Sequence, residues 1–219
     1  PAGTGVTLTV RFFGNAASYL PYVYYALVRA AERGVSGGRG FSIERVLVDQ
    51  QMTEADSDHL ALPSGSVRIT IPPVGGERIP YRLLLSAQSP VRIKARGAYL
   101  EELDFTELWI AASRRVLNVL DHFGQDSQQY NQTQTAGDPA QVPPSQNEQW
   151  RGQWQDTRYR SKSQAGVLRL GGLVGSFSAV VWLSDGERAV LKACEVVHLG
   201  KNATFGLGQV LVALEPQGG

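Results

Sequence analysis

One unit occurs twice in this sequence: an alternating apolar strand, an amphipathic helix, a glycine-rich loop and a closing strand. The first copy spans residues 6–48 and contains the glycine-rich loop 34–40, and the second spans 175–214 and contains the loop 200–208. A period of this length is typical of duplicated domains rather than of a short solenoid repeat. The sequence therefore predicts two related domains.

The first copy shows local signals for each of its elements. Residues 6–13 alternate apolar and polar side chains, which predicts a half-buried strand. Ser18 is the expected N-cap of a helix that tolerates Pro21 in its first turn and ends at Gly34. A strand at 41–48 and a hairpin around 66–71 follow. Proline and glycine pairs then place a boundary that gives domains 1–76 and 77–219.

The second domain begins with extended segments at 81–85 and 91–96; the latter places Arg92, Lys94 and Arg96 on one face if it is a strand. Capping boxes precede both helices, at Asp104 with Glu107 and at Ser184 with Glu187. Residues from about 125 to 149 are rich in Gln, Asn, Ser, Thr and Pro and contain no Lys or Arg. This composition predicts a polar surface insertion or a disordered loop.

The order of these elements predicts the fold class. The second half follows β-α-β-β-α-β, the ferredoxin-like order shared with RNA-recognition sheets. The first half follows only the last part of that order, β-α-β plus a hairpin. We expect an α+β protein with tandem ferredoxin-like (RRM-like) domains, of which the first is incomplete because the chain starts halfway through it.

Composition excludes several classes of protein. Cys194 is the only cysteine, so the sequence offers neither a disulfide framework nor a thiolate metal cluster, and we expect no metal and no cofactor. The sequence has no apolar run near the ~18 residues of a membrane span, and no signal peptide opens it. These features favour a cytoplasmic protein without a membrane partner. The net charge of +1 selects no partner by itself.

Two surface features allow a structural and a functional interpretation. A basic cluster carries aromatic residues among its charges, which suits either packing of the insertion or stacking on unpaired bases. Its members are Trp150, Arg151, Trp154, Arg158, Tyr159, Arg160 and Lys162. A glycine loop between a helix and a strand is often only a connector, but its backbone amides can also bind phosphate, with Arg39 or Lys201 supplying charge. Both interpretations stay open.

His198 comes at the end of the last helix, directly before the second glycine loop. A histidine there is commonly a favourable partner of the helix dipole. Beside a phosphate-binding loop it could instead act as a general acid or base.

Several motifs together carry a resemblance to a known family. They are LGGLVG at 170–175, HLGKNATFGLG at 198–208, YLPY at 19–22, GGRGF at 37–41, LEELDF at 100–105 and RYRS at 158–161. The chain resembles CRISPR-associated endoribonucleases that process precursor CRISPR RNA, in the repeat-associated mysterious protein (RAMP) superfamily. That superfamily has tandem ferredoxin-like domains with a glycine-rich loop before the last strand. The resemblance extends over nearly the whole chain.

The resemblance implies metal-independent cleavage, in which the ribose 2′-OH attacks the adjacent phosphate and leaves a cyclic phosphate and a free 5′-OH. His198 matches a histidine of the motif and is the catalytic candidate, although many relatives carry the catalytic histidine on the first helix of the amino-terminal domain, which we expect to be missing here. The implied RNA-binding residues are Gly37, Gly38, Arg39, Arg158, Tyr159, Arg160, Lys162, Gly200, Lys201, Asn202, Gly206 and Gly208.

The implied partner is CRISPR repeat RNA, and CRISPR effector-complex proteins and a homodimer are left open. We expect the complete protein to be an endoribonuclease, and leave open whether residues 1–219 cleave RNA alone. The alternatives are a non-catalytic RNA-binding RAMP subunit of an effector complex and a module that docks onto protein.

Overall fold

The computed structural model describes residues 5, 7–34, 40–43, 46–48, 51–53, 71–72, 75–123, 142–156, 158–160 and 167–218. The chain divides into two compact units, Pro1–Arg68 and Ile69–Gly219, and each is described by itself. The predicted domain bounds, 1–76 and 77–219, stay a prediction.

The described elements of the first unit are one helix, a short 3-10 helix before it and a small hairpin. They are the 3-10 helix Gly14–Tyr19, α1 (Leu20–Arg33), β1 (Val46–Val48) and β2 (Gln51–Thr53), and β1 pairs antiparallel with β2. The predicted helix is confirmed, with a proline in its first turn and Gly34 (φ 75°) at its end. Ser18 is not its N-cap, because it lies inside the 3-10 helix and its hydroxyl donates to Asn15 O at 2.8 Å.

The strand predicted at 6–13 is not present in its described part, 7–13, which has no regular secondary structure. Leu8 and Val10 are 65% and 45% exposed there. An alternating pattern favours a strand only where a neighbouring strand can take its hydrogen bonds. The strand predicted at 41–48 is limited to β1 in its described part, since 41–43 are irregular. Most of loop 34–40 and of the predicted hairpin at 66–71 lie outside the described residues.

Among its described residues, the second unit has one four-stranded sheet and two helices. Its long elements are β3 (Ile79–Ala87), α2 (Phe105–Phe123), β6 (Ser145–Gln155), β9 (Gly172–Leu183), α3 (Asp185–Val197) and β10 (Val210–Pro216). The described residues also form two small hairpins, β4 (Lys94–Ala95) with β5 (Ala98–Tyr99) and β7 (Arg158–Arg160) with β8 (Val167–Arg169). The sheet order is β10-β3-β9-β6 and all its pairings are antiparallel. This is the predicted ferredoxin-like arrangement, with β6 as its second strand.

The core lies on one face of this sheet. Alternate side chains of β3 and β9 are buried, and Leu83 and Phe177 are 0% exposed. The helix α2 packs against α3, and α3 packs against β9 and β10. On the opposite face Leu84 and Leu211 are 47% and 54% exposed. Each fully buried leucine or phenylalanine contributes about 1.5–3 kcal/mol, so this face provides most of the stability of the unit.

The start of α3 confirms a predicted capping box. Glu187 accepts from Ser184 N–H at 2.8 Å, and the Ser184 hydroxyl accepts from Glu187 N–H. Arg78 also donates to the Glu187 carboxylate, at 2.6 Å. At α2 only part of the predicted box is seen, because Asp104 accepts from Glu107 N–H at 2.8 Å while Phe105 N–H donates to Glu148 of β6 at 2.9 Å.

Two predictions in the second unit are corrected. Residues 91–96 are not one strand, because only β4 lies within them and Arg96 turns away at φ 48°. The predicted insertion at about 125–149 is too long, because 145–149 belong to β6 and pair with β9. An edge strand in contact with water accepts polar side chains, which concealed it in a Gln-rich sequence. In the part of the chain that the structure describes, we find no helix with the length and apolar character of a membrane span.

Candidate functional site

The second glycine loop joins α3 to β10 and lies along residues 90–92. Leu199 N–H donates to Gly208 O at 2.7 Å and closes the loop at its base. Gly208 N–H donates to Pro90 O at 3.0 Å, and Lys201 N–H donates to Arg92 O at 2.8 Å. The loop is therefore attached by backbone bonds to a segment that is distant in sequence.

Two glycines of the loop are required by these close contacts. Gly200 has φ 82°, and a Cβ there would collide with Arg92 O. Gly208 has φ 76°, and a Cβ there would collide with Leu199 O. Side chains other than glycine are disfavoured at positive φ even where space exists. Gly200 and Gly208 are therefore needed for the loop to connect α3 to β10, whatever the loop binds. The exposed part of the loop remains available for binding.

The exposed part of the loop is a short turn. Asn202 adopts the left-handed conformation at φ 64° and precedes the 3-10 helix Ala203–Phe205, while Gly206 follows it at φ 79°. Ser89 fixes this turn, because its hydroxyl donates to Gly206 O at 2.8 Å and accepts from Gln209 N–H at 2.9 Å. Lys201 is exposed and Asn202 is half-buried. Lys201, Asn202 and Thr204 are the residues of this turn with polar side chains, and the backbone of Lys201 is bonded to Arg92.

His198 lies at the C-cap of α3 with φ 64° and is half-buried. Its Nδ1 lies 2.9 Å from Leu207 O, so the ring bonds the carbonyl across the loop when Nδ1 is protonated. Arg115 of α2 donates from Nε to Val197 O at 2.8 Å and so satisfies a carbonyl at the end of α3. Burial lowers the pKa of Arg115, which still leaves the guanidinium charged at neutral pH.

The structure brings together part of the predicted site. His198 and the second glycine loop are contiguous, and Arg92 joins them through its backbone. Arg158, Tyr159 and Arg160 form β7, whose backbone pairs with β8, but their side chains lie outside the description. Gly37, Gly38, Arg39 and Lys162 also lie outside the described residues. The roles assigned to all of these residues stay predictions.

Sequence reasoning missed a cluster of Arg92, Tyr99 and Trp154, called the aromatic platform below. The Arg92 Cζ lies 4.1 Å from the centroid of the Tyr99 ring. The Tyr99 and Trp154 ring centroids are 6.2 Å apart with an interplanar angle of 46°. A signal was available in the pair Arg96-Gly97, since a two-residue turn with a glycine indicates a hairpin, and a hairpin brings Tyr99 back beside Lys94.

Cys194 is buried and carries no feature of a reactive thiol. Burial raises its pKa to about 12, with Arg115 opposing the shift and Glu195 adding to it. Its Sγ–H points to Val190 O at 3.5 Å within α3. Among the described residues, no three His, Cys, Asp or Glu side chains are grouped as a metal ion would require.

The comparisons with known proteins agree with this architecture. The family model of the CRISPR-associated endoribonuclease Cas6 matches residues 85–210, which include the second glycine loop. A product complex of a Thermus thermophilus Cas6 is similar in fold, with a TM-score of 0.51, 14% identity and coverage of 90% of this chain and 72% of that chain. A comparison with curated protein sequences gave no match.

Two further structures are similar over a smaller part. A partial Cas6-RT-Cas1–Cas2 complex matches with a TM-score of 0.40 and 21% identity, over 62% of this chain and 23% of that chain. A second Cas6 product complex matches with a TM-score of 0.35 and 16% identity, over 60% of this chain and 52% of that chain. This chain thus spans 23% and 52% of the length of these two relatives. Because the family model covers more than half of its 219 residues, the chain belongs to the CRISPR-associated endoribonuclease Cas6 family.

Proposed function

We propose that this protein binds CRISPR repeat RNA and cleaves precursor CRISPR RNA. The observation that carries the proposal is the Cas6 family match over residues 85–210, the region that contains α2, β6, β9, α3 and the loop 200–208. The similar solved structures include Cas6 bound to product and to a substrate mimic, which supports RNA as the ligand. CRISPR effector-complex proteins and a second copy of the chain are further proposed partners.

The proposed chemistry needs no metal ion. The ribose 2′-oxygen bonds to the adjacent phosphorus, the bond from phosphorus to the 5′-oxygen breaks, and a cyclic phosphate and a 5′-OH result. A base accepts the proton of the 2′-OH, and an acid donates one to the leaving oxygen. A neutral His198 that donates from Nδ1 to Leu207 O carries its lone pair on Nε2. We therefore assign proton transfer to Nε2 of His198.

The loop supports phosphate binding beside this nitrogen. Lys201 is exposed, and its backbone is held by the bond from its N–H to Arg92 O. A cation at a fixed backbone position can stabilise the charge that develops on the phosphate. The remaining proposed RNA contacts come from the turn with Asn202, Gly206 and Gly208, from the basic residues at 158–162 and from the first glycine loop at 37–39.

Cleavage of repeat RNA in excess chelator tests this chemistry. We expect cleavage at one position, with products that carry a 2′,3′-cyclic phosphate and a 5′-OH. The end groups can be identified by mass spectrometry and by their response to kinase and phosphatase. Products with a 5′-phosphate, or a strict need for added Mg²⁺, would exclude the proposed mechanism.

Two substitutions separate the catalytic from the structural role of His198. His198→Ala removes both the proton-transfer group and the bond to Leu207 O. His198→Asn can keep a donor for that carbonyl, because the side-chain amide lies near the place of Nδ1, but it cannot exchange a proton. If His198 is the acid or base, both variants lose about 10²–10⁴-fold in single-turnover rate with repeat-RNA affinity retained in the Asn variant. Full turnover in His198→Asn would limit the residue to a structural role.

One observation favours a second function. His198 already bonds the loop through Nδ1 and caps α3, which is the arrangement of a structural residue. A non-catalytic RAMP subunit would retain CRISPR RNA inside an effector complex without cutting it. Tight repeat-RNA binding with intact RNA after long incubation of the full protein would support this alternative.

A further inference from the structure

The aromatic platform presents aromatic surface next to a positively charged hairpin. Tyr99 is 38% exposed although one side of its ring faces the Arg92 guanidinium at 4.1 Å. Lys94 and Arg96 are both exposed on the same hairpin. Exposed aromatic rings interleaved with cations are typical of surfaces that bind single-stranded nucleic acid.

Leu173, a buried residue of β9, pairs through its backbone with both segments that carry the rings of the platform. Leu173 of β9 is 0% exposed and exchanges backbone bonds of 2.8 Å in both directions with Val91, directly before Arg92. On its other side Leu173 lies opposite Trp154 in the pairing of β9 with β6. The hairpin that carries Tyr99 is extended by the bond from Leu100 N–H to Ile93 O, at 3.0 Å. The platform is therefore attached to the first residues of β9, an inner strand of the sheet, rather than to a free loop.

The Trp154 ring is fixed in place as well. Its Nε1–H donates to Asp156 Oδ1 at 3.0 Å. The indole lies over Gly171, where a Cβ would come within 2.7 Å of Nε1. The Trp154 ring thus occupies space that is open only because residue 171 is a glycine. A ring that is fixed before binding loses little conformational entropy when a ligand stacks on it.

The platform is continuous with the glycine loop. Arg92 contributes its guanidinium to the platform, while its carbonyl accepts from Lys201 N–H at 2.8 Å. Gly200 approaches the same carbonyl so closely that no Cβ fits there. Arg92 therefore joins the loop to the platform, through its carbonyl on one side and its guanidinium on the other.

We propose that the aromatic platform is a binding site for one unpaired base of the RNA, which stacks on the Tyr99 ring while Lys94 and Arg96 bind the phosphates beside it. This inference rests on the proposed function, since it names a contact of the same RNA outside the loop that is assigned to cleavage. Stacking is tolerant of base identity because every base has a π-face. The site therefore requires a single-stranded nucleotide rather than a particular base.

Fluorescence of 2-aminopurine tests the stacking directly. The full protein is titrated into repeat RNA that carries one 2-aminopurine, with the label moved through each unpaired position in turn. A base that stacks on Tyr99 loses fluorescence, and we expect this at one position with the wild type and with Tyr99→Phe. We expect no loss with Tyr99→Leu, which keeps apolar volume but has no ring.

Affinity gives an independent measure. Tyr99→Leu and Tyr99→Ala should bind repeat RNA roughly 5- to 140-fold more weakly, the effect of about 1–3 kcal/mol that one stacked base provides. Phe123→Ala is the matched control, because Phe123 is an exposed ring (51%) at the end of α2. The slope of log K against log salt should be unchanged in the Tyr99 variants, whereas Lys94→Ala and Arg96→Ala should each reduce it by about 0.7.

The outcomes separate this inference from the function on which it rests. If repeat RNA binds the wild type tightly, and Tyr99→Ala matches Phe123→Ala with no labelled position quenched, the platform is not a base site and the proposed function stands. If the wild type does not bind repeat RNA at all, both proposals fail. Melting curves of the variants exclude unfolding as the cause, and a folded Tyr99→Leu that loses quenching supports the stacked base.

Discussion

The helices α1 and α3 have similar amphipathic patterns, but they differ in how many of their residues are buried in the described structure. Both have apolar side chains at helical spacing, and each follows a strand prediction and precedes a glycine-rich loop. All 14 residues of α1 are described and none is buried, whereas α3 buries seven residues of its 13. An amphipathic pattern thus states which face a helix can bury, and the strands beside it decide whether that face is covered.

A matched pair of leucines should show the largest difference between the two helices. Leu191 of α3 is 1% exposed, and Leu27 of α1 is half-buried. Leu191→Ala should lower the free energy of unfolding by about 2–5 kcal/mol, because it removes buried contacts and leaves a cavity. Leu27→Ala should cost less than about 1 kcal/mol. Urea unfolding followed by circular dichroism measures both, and equal losses would contradict the comparison.

The carboxylates of the two helices should differ nearly as much. Glu187 is 1% exposed and bonds both the N-cap and Arg78, while Glu32 of α1 pairs with Arg29 at 2.7 Å on the surface. Glu187→Ala leaves the Ser184 N–H and the Arg78 guanidinium without their acceptor. It should lower the free energy of unfolding by about 3 kcal/mol, a value that already allows for the partial exposure of Arg78 to water. Glu32→Ala should cost less than about 0.5 kcal/mol. Thermal melts of the two variants provide the check, and a larger shift for Glu32→Ala would overturn the ranking.

In the loop that follows α3, a glycine-to-alanine substitution should lower stability more at the base of the loop than at its tip. Gly208→Ala places a Cβ against Leu199 O and should cost about 2 kcal/mol, since positive φ and a backbone collision add. Gly206→Ala has open space and should cost about 1 kcal/mol from its φ alone. Denaturant midpoints of the two variants decide this order. A Gly208→Ala variant as stable as the wild type would mean that the base of the loop can open between Gly208 and Leu199 without cost.

The buried thiol of α3 should make stability depend on alkaline pH. Burial raises the pKa of Cys194 from 9.0 to about 12, so the folded state retains a proton that the unfolded state releases. This contribution is complete below pH 9 and is lost as pH rises from about 9 to 12, by about 1.4 kcal/mol per pH unit at most. The difference in unfolding free energy between wild type and Cys194→Ala, measured at several pH values, isolates it. A difference that is constant with pH would show that the thiol is not shielded.

Some elements could be predicted from the sequence because their signals are local. The capping box of Ser184 with Glu187 involves neighbours in sequence, and it is present in the structure. The end of α1 at Gly34 is equally local. The strand β6 could not be predicted from the sequence, because its Gln-rich segment becomes a strand only by pairing with β9. For residues 7–13 the error is the reverse. Their alternating apolar and polar side chains predicted a strand, but these residues have no regular secondary structure.

The candidate site shows the same division. The second glycine loop and His198 were identified from the sequence because they form one contiguous motif that carries the family resemblance. The attachment of the loop to residues 90–92 was not predictable, since those bonds join backbone groups far apart in the chain. Tyr99 and Trp154 meet only because the hairpin and β6 both attach to β9.

The sequence by itself determined the features that depend on near neighbours: the helices α1, α2 and α3, the capping box of α3, the glycine-rich loop before β10 and the family. The tertiary structure alone decided which amphipathic face is covered, which glycines have no space for a Cβ, and which aromatic side chains stand beside Arg92. The physical reason is the range of the interactions. Propensity and capping act within a few residues, whereas burial and strand pairing exist only after distant segments have met.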